Sequence, residues 1–254
     1  MQSKVLVIGI DGGTLDVIRP HLGVLPNLAR FFQEGVSGSL RSVPNRNSAP
    51  AWSSMITGKN PGKHGIFWFT EPKENSYEVC YVNGSFRKEA AVWDILSAAG
   101  KRVGVINVPL TYPAGEVNGF LVAGIDTPMI GAERFTYPPS LSVEIQEQVG
   151  EYIVEPGTPS SLKAGRYEEA VERLYKTVDQ RAAAAKHLMT TKEWDFFMVV
   201  FTATDSAQHF FWKYMYPEYY PPAQLSPEPA SVPITGSIAK LCMKDNDFSV
   251  QVQN

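Results

Sequence analysis

The length, composition and charge of this chain are those of an ordinary globular protein. Its 254 residues carry a formal net charge of −3 and a hydrophobic fraction of 44%. This length suffices for one large α/β domain, and the net charge gives no indication of nucleic-acid binding by bulk electrostatics. No apolar run approaches the roughly 18 residues of a membrane span. Two distant cysteines and an N-terminus without a signal segment predict a cytoplasmic protein without disulfides.

Strand and helix patterns alternate along the first part of the chain. An apolar run from Val5 to Ile10 is typical of a central strand of a parallel sheet, and it ends on Asp11. The pattern then predicts a helix from Pro26 to Gln33 that Gly35 ends, a strand from Ser37 to Val43, a helix that starts at Ser48 and ends at Gly58, and a glycine-rich loop to Gly65. Ser48 is expected to be the N-cap of its helix, with Pro50 in the first turn.

The same alternation continues to a second central strand. The predicted elements are a helix at Ala91–Ala99, strands at Arg102–Asn107 and Phe120–Ile125, a short helix near Leu141–Val149, a long helix from Tyr167 to at least Leu188, and a buried strand at Trp194–Phe201. Strands that alternate with helices indicate an α/β fold, here a three-layer sandwich with a mostly parallel central sheet. Residues 1–216 are predicted to form this domain, with a lid or insertion at about 127–165, and the proline-rich residues 217–254 a divergent tail in loop or disorder.

Polar residues at three of these element ends are candidates for chemistry. Asp11 and Asp205 each follow a central strand, and Ser48 begins a helix. His209 lies four residues after Asp205, on the same face if the segment is helical, and carboxylate with imidazole suits a metal such as zinc. Each residue also has a structural interpretation: helix capping for Asp11, Asp205 and Ser48, and aromatic packing for His209. Lys63, His21 and His187 are interpreted as solvated or structural residues.

Taken together, these residues favour phosphate chemistry. A serine at a helix start faces backbone N–H groups that attract an anion, and metal ions would lower its pKa. The segment Gly9-Ile10-Asp11-Gly12-Gly13 breaks the dinucleotide-binding pattern with an acid. Lys59 and Lys63 lack the P-loop spacing to a following serine or threonine.

Four stretches resemble the type I phosphodiesterase/nucleotide pyrophosphatase family of the alkaline phosphatase superfamily. They are Gly9–Gly12, Asn47–Trp52, Thr57–Ile66 and Thr204–His209, and the third is the most specific. The resemblance implies an alkaline-phosphatase-like hydrolase of phosphate mono- or diesters with two divalent metal ions, zinc first and manganese or iron as alternatives. It implies that Asp11 ligates one metal and that Asp205 and His209 ligate the other. Ser48 would be the nucleophile that bridges the metals, and Asn47 a substrate-binding residue.

The sequence departs from the family pattern in two places. Phe69 occupies the position of an asparagine that contacts a phosphate oxygen in nucleotide pyrophosphatases, and no histidine follows His209. The family takes further ligands from a later Asp-His pair and a late histidine. We therefore expect the chain to resemble the N-terminal half of such an enzyme, with incomplete metal sites and a sheet edge whose exposure favours self-association. Neither a membrane nor a nucleic acid is expected as a partner.

Two alternatives to a complete hydrolase stay open at this stage. The first alternative is a catalytically incomplete half-domain that only binds phosphate ligands or needs a partner chain. A lesser alternative is a relative of phosphoglycerate mutases or sulfatases, although the segment after Ser48 lacks the arginine of the sulfatase motif.

Overall fold

The computed structural model describes residues 3–128, 133–216 and 219. Its chain separates into two compact units. The first comprises Met1–Gly9, Leu40–Val154 and Ala183–Val200, and the second comprises Ile10–Ser39, Glu155–Ala182 and Phe201–Asn254. The predicted division at residue 216 stays a prediction, since residues 217–254 lie outside the described part apart from Tyr219.

The strands form a larger sheet and a separate hairpin. In chain order they are β1 (Val5–Ile10), β2 (Thr70–Pro72), β3 (Val79–Tyr81), β4 (Val103–Ile106), β5 (Gly119–Val122), β6 (Thr136–Tyr137) and β7 (Phe196–Phe201). The five-stranded sheet has the order β1-β7-β4-β5-β6, and β2 pairs with β3 antiparallel. Within the sheet β4 runs parallel to β5 and β7, whereas β6 runs antiparallel to β5. The predicted α/β fold with a mostly parallel sheet is confirmed.

The buried strands are those with continuous apolar runs. All residues of β4 and β7 are buried, as expected for strands covered on both faces. In the first unit, Val105 and Met198 of these strands belong to an apolar cluster with Leu121 and Trp93. Burial on both faces therefore explains why these two strands were predicted correctly.

The helices agree with most of the predicted boundaries. They are α1 (Leu15–Ile18), α2 (Pro26–Glu34), α3 (Ser48–Thr57), α4 (Pro61–His64), α5 (Val92–Ala98), α6 (Leu141–Val149), α7 (Thr158–Lys163), α8 (Tyr167–Thr191) and α9 (Ala203–Met215). Helices α6 and α7 lie in the predicted insertion. Three short helices, α1, α4 and α7, were not predicted. Among the described residues, no helix combines the length and apolar character that crossing a bilayer requires.

The place of β1 in the sheet differs from the prediction of a central strand. Among the described strands β1 lies at one end of the order, next to β7, and only one of its six residues is buried. The segment predicted as a glycine-rich loop contains α4.

Two further local predictions are wrong. The segment Ser37–Val43 has no regular secondary structure, and Leu40 within it is 96% exposed. Its alternating pattern finds no partner strand among the described residues, and an unpaired strand has no hydrogen bonds to hold it. Ser48 is the first residue of α3 rather than its N-cap. Asn47 takes that position, with extended φ and ψ of −145° and 145°, because its side chain accepts a hydrogen bond from the N–H of Ala49.

Candidate active site

The turn after β1 places the Asp11 backbone against the start of α9. The N–H of Asp11 donates to the carbonyl of Phe201 at 2.9 Å, at the end of β7. Gly12 has a φ of +71°, and a Cβ there would lie 3.0 Å from the Cα of Asp205. Glycine is needed at this position for the backbone conformation and for the close approach of the helix. The two acid-bearing strand ends are therefore adjacent through their backbones, within the second unit.

Asp205 and His209 face each other on α9. His209 Nε2 lies 3.4 Å from Asp205 Oδ1, as the four-residue spacing predicted. Burial raises the pKa of the Asp205 carboxyl, and nearby His209 acts in the opposite direction. Asp205 lies inside the first turn of α9, whose N-cap is Thr202, so Asp205 is not the cap. The His209 side chain is 70% exposed, which does not fit aromatic packing as its main role.

These two side chains have the donor chemistry of a divalent metal site. A carboxylate oxygen and an imidazole nitrogen on one helical face suit zinc and similar metals. Within residues 3–128, 133–216 and 219, however, no group of three or more His, Cys, Asp or Glu could hold a metal ion. The pair therefore fits such an ion in chemistry but supplies only part of a donor set.

Two charged residues near the start of α9, Glu155 and Arg181, were missed by the sequence analysis. Arg181 is 1% exposed, and its guanidinium donates to the Thr202 hydroxyl at 3.1 Å. Burial raises the pKa of Glu155, Arg181 opposes the shift, and Asp205 adds to it. Arg181 occupies a position on the apolar stripe of α8 between Val178 and Ala185. A charge on a buried stripe is the signal by which the sequence could have revealed it.

His64 holds α4 against α3, the helix that begins at Ser48. It is fully buried, and its Nδ1 accepts the N–H of Ile66 at 3.1 Å. The ring proton therefore lies on Nε2, which donates to the Ser54 hydroxyl at 2.9 Å. His64 is thus a structural residue in its neutral form.

Burial of His64 is expected to make the protein less stable at acid pH. Burial lowers the pKa of His64, Arg87 lowers it further, and Glu89 raises it. The unfolded chain binds a proton at about pH 6.5, whereas the folded chain binds it only at lower pH, so stability is lost as the pH falls below about 6.5. His64→Gln should flatten the dependence of unfolding free energy on pH by up to about 1.4 kcal/mol per pH unit. Urea denaturation at several pH values measures this slope. His21→Gln is the control, and an equal slope in wild type and His64→Gln would contradict the prediction.

Phe69 is an apolar packing residue. It is partly buried against a cluster of Ala49, Ile66, Val82 and Leu110. Phe69 therefore contributes to packing in this chain.

The predicted site residues belong to different units. Asn47 and Ser48 lie in the first unit, whereas Asp11, Asp205 and His209 lie in the second. The structure brings the backbone of Asp11 close to α9, and Asp205 close to His209. The convergence of Ser48 with these residues stays a prediction, as do the catalytic and ligand roles of all five.

The family model described as type I phosphodiesterase/nucleotide pyrophosphatase matches residues 5–224. The chain belongs to that family. The match extends over most of the chain and includes the four stretches on which the resemblance depended. The predicted family membership is confirmed.

The fold of this chain is similar to that of two solved structures, both of the phosphonoacetate hydrolase from Sinorhizobium meliloti 1021. The complex with phosphonoacetate has a TM-score of 0.52 at 18% identity, and that with phosphonoformate has 0.56 at 17%. Each comparison covers 97% of this chain and 52% of the other, so this chain spans about half the length of those proteins. At such identities the likeness concerns the fold. No curated protein matches the chain.

Proposed function

We propose that this chain takes part in metal-dependent hydrolysis of phosphate esters, with Ser48 as the nucleophile and two divalent metal ions as cofactors. Family membership supports the reaction class. The observation that carries the proposal is the pair of Asp205 and His209, 3.4 Å apart on α9, beside the turn that contains Asp11. The substrate would be a small phosphate ester, with neither a nucleic acid nor a membrane as partner, in the cytoplasm.

The metal ligands in this proposal come from the two strand ends. Asp11 would ligate one ion and Asp205 with His209 the other, with zinc as the first choice and manganese or iron as alternatives. When bound, the ions would neutralise phosphoryl charge and favour the ionised Ser48 hydroxyl. The remaining ligands would come from outside this set.

The chemistry assigned to Ser48 follows from its place at the start of α3. Backbone N–H groups at a helix N-terminus stabilise the negative charge of a phosphoryl group. Ser48 Oγ would lose its proton and bond to phosphorus, while the bond from phosphorus to the leaving oxygen breaks and that oxygen gains a proton. Water would then release the phosphoryl group and restore the serine. The Asn47 side-chain oxygen caps α3, which leaves its amide N–H groups as donors for a substrate oxygen.

Substitution of Ser48 tests the proposal directly. Ser48→Ala should lower turnover of p-nitrophenyl phosphate or bis-p-nitrophenyl phosphate, with added zinc or manganese, by about 10³-fold or more because no nucleophile remains. The control is Ser37→Ala, since Ser37 lies in an exposed segment without regular structure. Equal turnover by wild type and Ser48→Ala would contradict the role of Ser48.

A second candidate is a half-domain that binds phosphate ligands or needs a partner chain. The partial donor set among the described residues favours it, as does the coverage of 52% of the phosphonoacetate hydrolase. In that case inorganic phosphate with zinc would raise the melting temperature, although the wild-type chain turns over neither ester. Self-association through an uncovered sheet edge stays a prediction of the same candidate.

A further inference from the structure

Two side chains of α9 bind the turn that follows β1. The Thr204 hydroxyl donates to the carbonyl of Asp11 at 2.7 Å, across 193 positions of sequence. The Gln208 amide donates to the carbonyl of Gly12 at 2.6 Å, and at 3.3 Å to the carbonyl of Thr204 on its own helix. Both bonds lie within the second unit. They join the two segments that carry the candidate metal ligands, the turn after β1 and the first turns of α9.

Thr204 and Gln208 are the sequence neighbours of two candidate metal ligands. Each directly precedes a candidate ligand, Thr204 before Asp205 and Gln208 before His209. Residues 204 and 208 are one turn apart, so they form a stripe beside that of 205 and 209. One stripe therefore contacts the Asp11–Gly12 turn, and the adjacent stripe presents the carboxylate and the imidazole.

Packing leaves little freedom at this contact. A Cβ on Gly12 would lie 3.0 Å from Gln208 Nε2 as well as from the Asp205 Cα. Thr204 is only 4% exposed, so its hydroxyl has little water to replace the Asp11 carbonyl. Loss of either hydrogen bond would let α9 shift relative to the turn, and metal sites are sensitive to such shifts in ligand orientation.

We propose that Thr204 and Gln208 are positioning residues that set the distance between Asp11 and the Asp205–His209 pair for cation binding. This inference rests on the proposed function, because it assigns to the two residues the support of the same site. Neither residue contacts substrate in this proposal. Their effect passes through the peptide carbonyls of Asp11 and Gly12.

Metal affinity is the direct readout. Thr204→Val keeps the shape and removes the hydroxyl, and Gln208→Leu removes the amide donor. Calorimetric titration with Zn²⁺ or Mn²⁺ should show affinity about 10- to 100-fold weaker for each variant, and Thr204→Ser should restore it. If activity is present, kcat should fall while KM changes by less than about threefold, because binding of the ester itself is unchanged.

A matched control separates positioning from stability. Thr177 is also buried in a helix, and its hydroxyl donates to the carbonyl of Arg173 at 2.7 Å, so Thr177→Val removes a similar bond elsewhere in the second unit. Its metal affinity should equal that of wild type. Wild-type affinity in Thr204→Val and Gln208→Leu would overturn the inference, as would equal losses in Thr177→Val or a wild-type chain that binds neither metal. Failure of the Ser48 role gives a different pattern, in which the two variants lose affinity but Ser48→Ala keeps full turnover.

Discussion

Asp126→Ala is expected to lower the free energy of unfolding by about 3 kcal/mol. The Asp126 carboxylate accepts the N–H groups of Thr111 at 3.1 Å, Tyr112 at 2.8 Å and Gly84 at 3.2 Å. Gly84 also donates to the carbonyl of Tyr112, so the groups that lose their partner are those of Thr111 and Tyr112. Each unpaired buried N–H costs about 1–3 kcal/mol. Urea denaturation measures the loss.

The carboxamide variant tests which property of Asp126 matters. Burial raises the pKa of Asp126, although hydrogen bonds from Tyr112, Thr111 and Gly84 act in the opposite direction. The stabilisation therefore comes mainly from the pairing of N–H groups rather than from the charge. Asp126→Asn, which retains one oxygen acceptor, should fall between wild type and alanine. The exposed Glu74→Ala is the control, and equal stability of Asp126→Ala and that control would contradict this account.

Gly119→Ala is expected to cost about 4 kcal/mol or more. Gly119 begins β5 with a φ of +145°, a region that side chains rarely adopt. A Cβ there would lie 2.0 Å from the carbonyl oxygen of Val103, its partner on β4. The clash is with backbone, so relief requires separation of two strands of the sheet rather than a rotamer change. Thermal and urea denaturation would show the loss, or the variant would fail to fold.

A neighbouring glycine provides the control for this substitution. Gly115 precedes β5 in the same connection, and a Cβ there would meet nothing within 4 Å. Gly115→Ala should therefore change the free energy of unfolding by less than about 1 kcal/mol. If Gly119→Ala were as stable as Gly115→Ala, the close approach of β5 to the Val103 carbonyl would be wrong.

Local patterns predicted the parts of the fold in which burial repeats regularly. The apolar run that became β7 was recognisable without knowledge of its partners, since a strand buried on both faces has no polar alternation. β1 has a similar apolar run, but it lies at one end of the described strand order and only one of its six residues is buried, so the run predicted a strand without its place in the sheet. The spacing of Asp205 and His209 was equally informative because four residues make about one helical turn. Their 3.4 Å separation depends only on local helix geometry.

Two predictions failed because a local pattern does not choose between neighbouring N-cap residues and does not supply a partner strand. Asn47 and Ser48 are neighbours and both are good N-caps, so residue type does not decide between them. The backbone angles decide, and they are extended at Asn47. Ser37–Val43 has a strand-like alternation, but a strand also needs a partner, which no local pattern supplies.

The sequence by itself determined the α/β class, the family and the acids that follow β1 and β7, because these depend on apolar runs and on contiguous motifs. Only the tertiary structure decided the long-range hydrogen bonds, such as Thr204 to Asp11 and Asp126 to Thr111, and the buried neutral state of His64. A donor finds its acceptor across the chain only after the elements pack. The composition of a short segment therefore does not predict that partner.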